Sequence, residues 1–199
     1  MTISQRVTTA GLIAILGCSD TADTTPGKPE DTARSPQPSI AETSLCGIDA
    51  GTIVGPEGIG QLRIGATIDD VRTGCRIVRD TMRVAAEGMR ERRITVDLGR
   101  DTVETVVVED RIRRIHIDGP AFRTADDMGV GTTVDELRRS GSARVLAGEG
   151  SMFLTLADKC GLSFRLGGVP FGPERPAADL PADGRVVEVL VFGCEATNQ

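Results

Sequence analysis

The chain has 199 residues, 39% of them hydrophobic, a formal net charge of −6, and no Trp or Tyr among its few aromatics. That length holds one ordinary domain or two small ones, and the apolar content is enough for a core. The acid excess argues against nucleic acid as a partner, and the scarce aromatics leave no stacking platform for sugars or bases.

Residues 1–17 read as a lipoprotein signal peptide. Met1 to Arg6 is a weakly basic start and Val7 to Leu16 a short apolar run, too short to cross a bilayer. Ile15-Leu16-Gly17-Cys18 resembles the bacterial lipobox, in which the Cys is lipidated and becomes the mature N-terminus. The alternative is an ordinary secretory signal with an incidental Cys. Lipidation of Cys18 implies export and anchoring to a membrane on its outer or periplasmic side. Where the cell has an outer membrane, Ser19 resembles the signal for that membrane. Residues 18–44 carry Pro26, Pro29, Pro36 and Pro38 with many Ser and Thr and almost nothing to bury, which predicts a disordered tether.

The folded part is expected over residues 45–199. Its four cysteines, Cys46, Cys75, Cys160 and Cys194, make an even set in an exported protein and predict disulfides. A zinc site is the rival, but there is no Cys-x-x-Cys spacing and the sole His, His116, lies far from any Cys in sequence. Neither metal nor cofactor is expected. Of the possible pairings Cys46–Cys75 with Cys160–Cys194 is preferred, each closing a loop of about 30 residues worth roughly 3–4 kcal/mol by chain entropy.

Ile64-Gly65-Ala66-Thr67-Ile68-Asp69-Asp70-Val71-Arg72 returns 66 residues later as Val130-Gly131-Thr132-Thr133-Val134-Asp135-Glu136-Leu137-Arg138. In each copy a Gly allows a bend and a Thr stands ready to cap a helix. Thr133 with Glu136 fits the capping box, Thr67 with Asp70 is its shorter-armed relative, and the acids suit the positive end of the helix dipole. Two equivalent short helices are therefore predicted, the first spent by Gly74 and the second by Ser140-Gly141.

Strands are predicted after each helix. Arg93 to Leu98 alternates with Ile94, Val96 and Leu98 on one face, Val103 to Val108 is β-branched, and Glu109-Asp110-Arg111 is a hairpin turn. Ile112 to Ile117 returns with Ile115 and Ile117 inward and Arg114 and His116 outward, and Gly119-Pro120 stops it. Met152 to Leu156, Leu162 to Leu166 and Val186 to Phe192 are their counterparts, with a long loop of apolar content from Gly167 to Gly184. The expected fold class is α+β. It comprises two tandem repeats, residues 58–119 and 120–194, each a short helix followed by a three-stranded antiparallel meander. The sheets would join edge to edge as six strands, with the helices packed on one face.

The unit of apolar-Gly-x-Thr, acidic short helix and meander, behind a lipobox, resembles the BamE (SmpA/OmlA) domain. Its tandem arrangement is similar to the β-lactamase inhibitor protein family. The first resemblance implies an outer-membrane lipoprotein that supports barrel assembly. The second implies a protein that binds its target across a concave sheet face. Both imply a binding role without catalysis.

Catalytic material is sparse. Ser151 and Ser163 lack a Gly-x-Ser-x-Gly elbow, and the acidic pairs Asp69-Asp70 and Asp135-Glu136 are accounted for by helix capping. Arg93, Arg114 and His116 belong to a basic set on the outer face of the first sheet and are the leading candidates for a partner-binding surface. The alternative is a solvated face balanced by Glu87, Glu91, Asp97 and Glu104. Phe171, an apolar residue on the long loop, is the second candidate. The expected function is that of a lipid-anchored envelope protein binding a protein or an envelope polymer. An inhibitor of a secreted or periplasmic enzyme is the alternative, and a hydrolase with an unrecognised site the more distant one.

Overall fold

The computed structural model describes residues 45–49, 51–85 and 88–194, all within one compact unit. The signal peptide, Cys18 and the tether lie outside the described residues.

Thr67 and Thr133 each start a seven-residue helix, α1 (Ile68–Gly74) and α2 (Val134–Ser140). Each Thr hydroxyl accepts the N–H three residues on, at 3.2 Å, while the Asp70 or Glu136 carboxylate takes the Thr N–H in return. Hydrogen bonds from Thr67 and Thr133 hold both carboxyls below their usual pKa range. Helices this short have no stability of their own. They exist because Ile68 and Val71, and Val134 and Leu137, are buried in the core.

A small hairpin, β1 (Gly58–Ile59) with β2 (Leu62–Arg63), precedes α1. Between α1 and α2 come β3 (Arg76–Val84), β4 (Arg90–Asp97), β5 (Thr102–Val108) and β6 (Arg111–Ile117). After α2 come β7 (Ala143–Gly148), β8 (Ser151–Leu156), β9 (Leu162–Gly167) and β10 (Arg185–Val191). The last eight strands form one antiparallel sheet in the order β3-β4-β5-β6-β10-β9-β8-β7, so β6 and β10 meet at its centre.

The expected fold class is overturned by this topology. The domain is mostly β, with ten described strands and two short helices rather than two repeats of a helix and a three-stranded meander in an α+β fold. The main sheet has eight strands rather than six because β3 and β7, its two edges, carry no legible period. No residue of β3 is fully buried, and its Arg76, Arg79, Asp80 and Arg83 interrupt any apolar alternation. An edge strand has one neighbour and needs no inward stripe, and its charges discourage pairing with other chains.

One face of the sheet builds the core. Ile94, Val96, Val103, Val107, Ile112, Ile115, Ile117, Val186, Val189, Val191, Phe164, Leu154 and Val145 point to the helix side. Ile112 and Ile115 are three apart, as are Val186 and Val189, so strict alternation would send one of each pair outward. Bulges at the β5–β6 and β9–β10 registers resolve this. Cys46, Ile48, Val54, Ile59 and Leu62 from the N-terminal segment complete the core with Phe122 and Met128 from the linker before α2.

Matching hydrogen bonds tie each helix entrance to the sheet. Gly65 N–H donates to Ile112 O and Ile112 N–H to Ala66 O, while Gly131 N–H donates to Val186 O and Val186 N–H to Thr132 O, all between 2.7 and 2.9 Å. Gly65 and Gly131 sit at φ +85° and +93°, the left-handed region that favours Gly. Two disulfides, Cys46–Cys75 and Cys160–Cys194, join residues 29 and 34 apart. They are the mark of an oxidising compartment outside the cytoplasm. Among the described residues no helix is long and apolar enough to cross a membrane.

Candidate functional site: the open sheet face

The face of the eight-stranded sheet turned away from the helices is not a plain solvated surface. Val106, Phe153 and Leu190 are buried on it, apart from the core cluster. Cross-strand registers set Val106 beside Arg93 and Arg114, His116 between Glu104 and Leu190, and Phe153 between Leu146 and Arg165.

Among the described residues, two clefts divide this face. The first, about 330 Å³, is lined mainly by Leu146, Phe153, Leu190 and Phe192, with Arg114, Thr155 and Ser163. It crosses β6, β10, β9, β8 and β7. The second, about 280 Å³, is polar and lined by Arg83, Thr95, Thr102, Glu104, His116, Asp118 and Glu188. They adjoin at the β6–β10 seam, where Leu190 of one stands opposite His116 of the other.

An ion-pair ladder runs between them. Arg93 donates to Glu91 at 3.0 Å and to Glu104, and Arg114 reaches Glu91 at 3.4 Å and Glu149 at 3.1 Å. His116 Nδ1 lies 2.9 Å from Glu188 Oε1, and Arg165 Nε 2.9 Å from Glu188 Oε2. Burial works against the Glu188 charge, but the hydrogen bond from His116 and the charges of His116, Arg165 and Arg114 outweigh it and hold its pKa below the usual carboxylate range. Arg93 is drawn the other way by Glu104 and Glu91, which raise its pKa against the cost of its own burial.

Arg93, Arg114 and His116 thus share the open face, but each is already paired there, the two arginines with Glu91, Glu104 and Glu149 and the imidazole with Glu188. His116, expected on a solvated face, is 7% exposed, because at the centre of an eight-stranded sheet it is flanked by Glu104 on one side and by Leu190 and Glu188 on the other. Phe171 stands apart on the loop between β9 and β10, 60% exposed, and lines neither cleft. That loop is itself fastened: Leu180 enters the core and Arg138 of α2 donates to Ala177 O and Ala178 O. Thr67, Asp70, Thr133 and Glu136 act as helix caps, and the four cysteines are paired. Among the described residues no group of three or more His, Cys, Asp or Glu side chains is placed to hold a metal ion.

The residues that sequence reasoning passed over are those of the second half: Leu146, Phe153, Arg165, Glu188 and Leu190. One signal was present. Glu188 is a lone acid in Val186-Val187-Glu188-Val189-Leu190-Val191, an otherwise apolar run, and such a charge inside a buried strand demands partners.

No family model and no curated protein sequence matches the chain. Among solved structures it is similar to the uncharacterized protein yfeY from Escherichia coli, with 19% sequence identity and a TM-score of 0.55. The likeness covers 71% of this chain and 99% of that one, and it is a likeness of fold.

Proposed function

We propose that this is a lipid-anchored cell-envelope protein whose open sheet face docks another protein without catalysing a reaction. One observation carries the reading. The face opposite the core holds buried Phe153 and Leu190 beside half-exposed Phe192, in a concave cleft bordered by an ordered ladder of ion pairs. Apolar surface placed away from the core and rimmed by charge is the pattern of a protein-binding patch. The lipobox at Cys18 supplies the anchor, and the disulfides agree with export.

Photo-crosslinking residues at Leu146 and Phe192, with Arg100 and Phe171 as controls elsewhere on the surface, test the docking face in growing cells. Discrete protein adducts are expected from the cleft positions alone. Adducts at Phe171 with none at Leu146 or Phe192 would move the partner to the long loop. Adducts to a soluble hydrolase rather than an envelope component would support the inhibitor role. The anchor is tested by Cys18→Ser, which should release the protein from the membrane fraction; a variant that stays bound removes the lipid assignment.

A further inference from the structure

We propose that the outer edge of β7 receives an extended segment of the docking protein as a ninth strand of the sheet, an inference that rests on the docking reading above. The backbone of β7 is spent on one side only. Ala157 N–H donates to Ser142 O at 3.0 Å, and the uninterrupted β7–β8 register carries that phase along the strand. Arg144, Leu146 and Gly148 therefore exchange both backbone hydrogen bonds with β8, and the two-residue turn at Glu149-Gly150, both at positive φ, closes the pair. Ala143, Val145 and Ala147 alternate with them and turn their N–H and C=O groups outward. None of these outward groups has a hydrogen-bond partner among the described residues.

The two edges of the sheet differ in how they are defended. β3 carries Arg76, Arg79, Asp80 and Arg83 and is broken by a bulge between Ile77 and Arg79, and both features hinder pairing with another chain. β7 reads Ala143-Arg144-Val145-Leu146-Ala147-Gly148, with a single charge, no Pro and no bulge. Space lies beside it. A groove of about 360 Å³ opens between residues 143–145 of β7 and residues 174–177 of the long loop, and further along the strand Ala147 is exposed. The occupant follows from continuity. Leu146, Ala147, Gly148 and Glu149 also line the apolar cleft, so the protein that covers the cleft reaches this edge.

Side chains select the segment. Val145 points to the core, so Leu146 and Gly148 are on the open face, Leu146 across from Phe153. An added strand meets Gly148 in a pair without hydrogen bonds, the closer of the two kinds, at about 4.5 Å between Cα atoms. Gly148 has no side chain of its own, and a Cβ built there would lie 3.7 Å from Phe153 Cε2, in ordinary contact. A large apolar side chain on the segment, opposite Gly148, therefore lies over the glycine against Phe153 and Leu146, as aromatic residues cover glycines on edge strands. The segment is an extended stretch of about six residues, matching β7, with an aromatic or large aliphatic residue at that position.

Ala147→Pro removes one outward N–H and sets a ring in the path of the added strand, while the hydrogen bonds to β8 stay. In growing cells, adducts from a photo-crosslinking residue at Phe192 should fall about ten-fold or more in Ala147→Pro and stay at the parent level in Ala147→Ser. In the purified crosslinked complex of the full chain, the amides of Ala143, Val145 and Ala147 should exchange with solvent about ten-fold or more slowly than in the free chain. Thermal unfolding of both variants checks that they fold, and should Ala147→Pro fail to fold, the exchange measurement decides. Undiminished adducts in a folded Ala147→Pro, an equal fall in Ala147→Ser, or unchanged exchange at the three amides in the complex overturns the inference while the docking face stands. An adduct of twice the mass of the chain would put a second copy at the edge and overturn it as well. Absence of any adduct at Leu146 or Phe192 in the parent removes the docking reading and this inference together.

Discussion

Replacing Glu188 by Gln removes the charge that two partners share at the seam of the sheet. Glu188 is 13% exposed on its side chain, accepts from His116 Nδ1 at 2.9 Å, and faces Arg165 Nε at 2.9 Å. A hydrogen bond involving a charged group is worth about 1.5–3 kcal/mol. Gln keeps one acceptor oxygen and turns an N–H2 group toward the other donor, so one charged contact is lost and one weakened. Arg165 is 40% exposed and recovers part of its loss from water, which leaves about 2–3 kcal/mol. For a domain of this size that is a fall in Tm of about 5–10 °C.

The pH dependence separates this cause from simple misfit. The pKa of Glu188 is lower in the fold than its ordinary value, so its stabilisation is complete above the unfolded value of about 4.3 and is lost as pH falls through the folded one. The gap between wild type and Glu188→Gln is therefore full at pH 7 and closes toward pH 3. Urea unfolding at pH 7, 5 and 3 with intact disulfides measures it, with m unchanged between the two proteins. A gap that stays constant to pH 3, or one below about 0.5 kcal/mol at pH 7, would refute the electrostatic role of Glu188.

Thr133→Ala deletes the acceptor for the Glu136 N–H and should cost about 1 kcal/mol in urea unfolding, with Thr67→Ala costing a similar amount at α1. Leu137→Ala, at a fully buried site on a helix that exists by docking, should cost about 2–5 kcal/mol and remove helical signal together with sheet stability. Under mild dithiothreitol, Cys160–Cys194 should be alkylated before Cys46–Cys75, because Cys160 is exposed whereas Cys46 and Cys75 are buried; mass spectrometry of trapped thiols reads the order. Gly58→Ala should not be tolerated: its φ is +141°, and an added Cβ would meet the Leu62 carbonyl oxygen at 1.9 Å, so low soluble yield or a sharply lower Tm is expected.

Much of the helix side of the domain was legible because its rules are local. Ile94, Val96, Ile115 and Ile117 announced their inward face by alternation. The turn at Glu109-Asp110 was legible from its polar residues between two β-branched runs, and both adopt positive φ there. β3 and β7 were not legible. A strand at an edge, paired on one side, can be spelled with Arg, Asp and Gly because it has no buried stripe to maintain. Missing them shortened each meander by one strand, which turned a mostly β domain into an expected α+β one.

The open face was harder still. Alternation put Arg114 and His116 on the side away from the core, and they are there. It could not say that Glu188 and Arg165, from strands more than 45 residues further along the chain, would stand beside His116. Nor could it say that Phe153 and Leu190 would be buried on the face opposite the core.

Local chemistry, by itself, determined where the helices start, which cysteines suit an oxidising compartment and which strand residues turn inward. Each depends on a few neighbouring residues and on the period of the backbone. The tertiary structure alone decided that β6 meets β10, that the sheet is eight strands wide, and that the surface away from the core carries two clefts. Those outcomes depend on which distant strands share hydrogen bonds, a choice made by the packing of the whole chain and written in no single stretch of it.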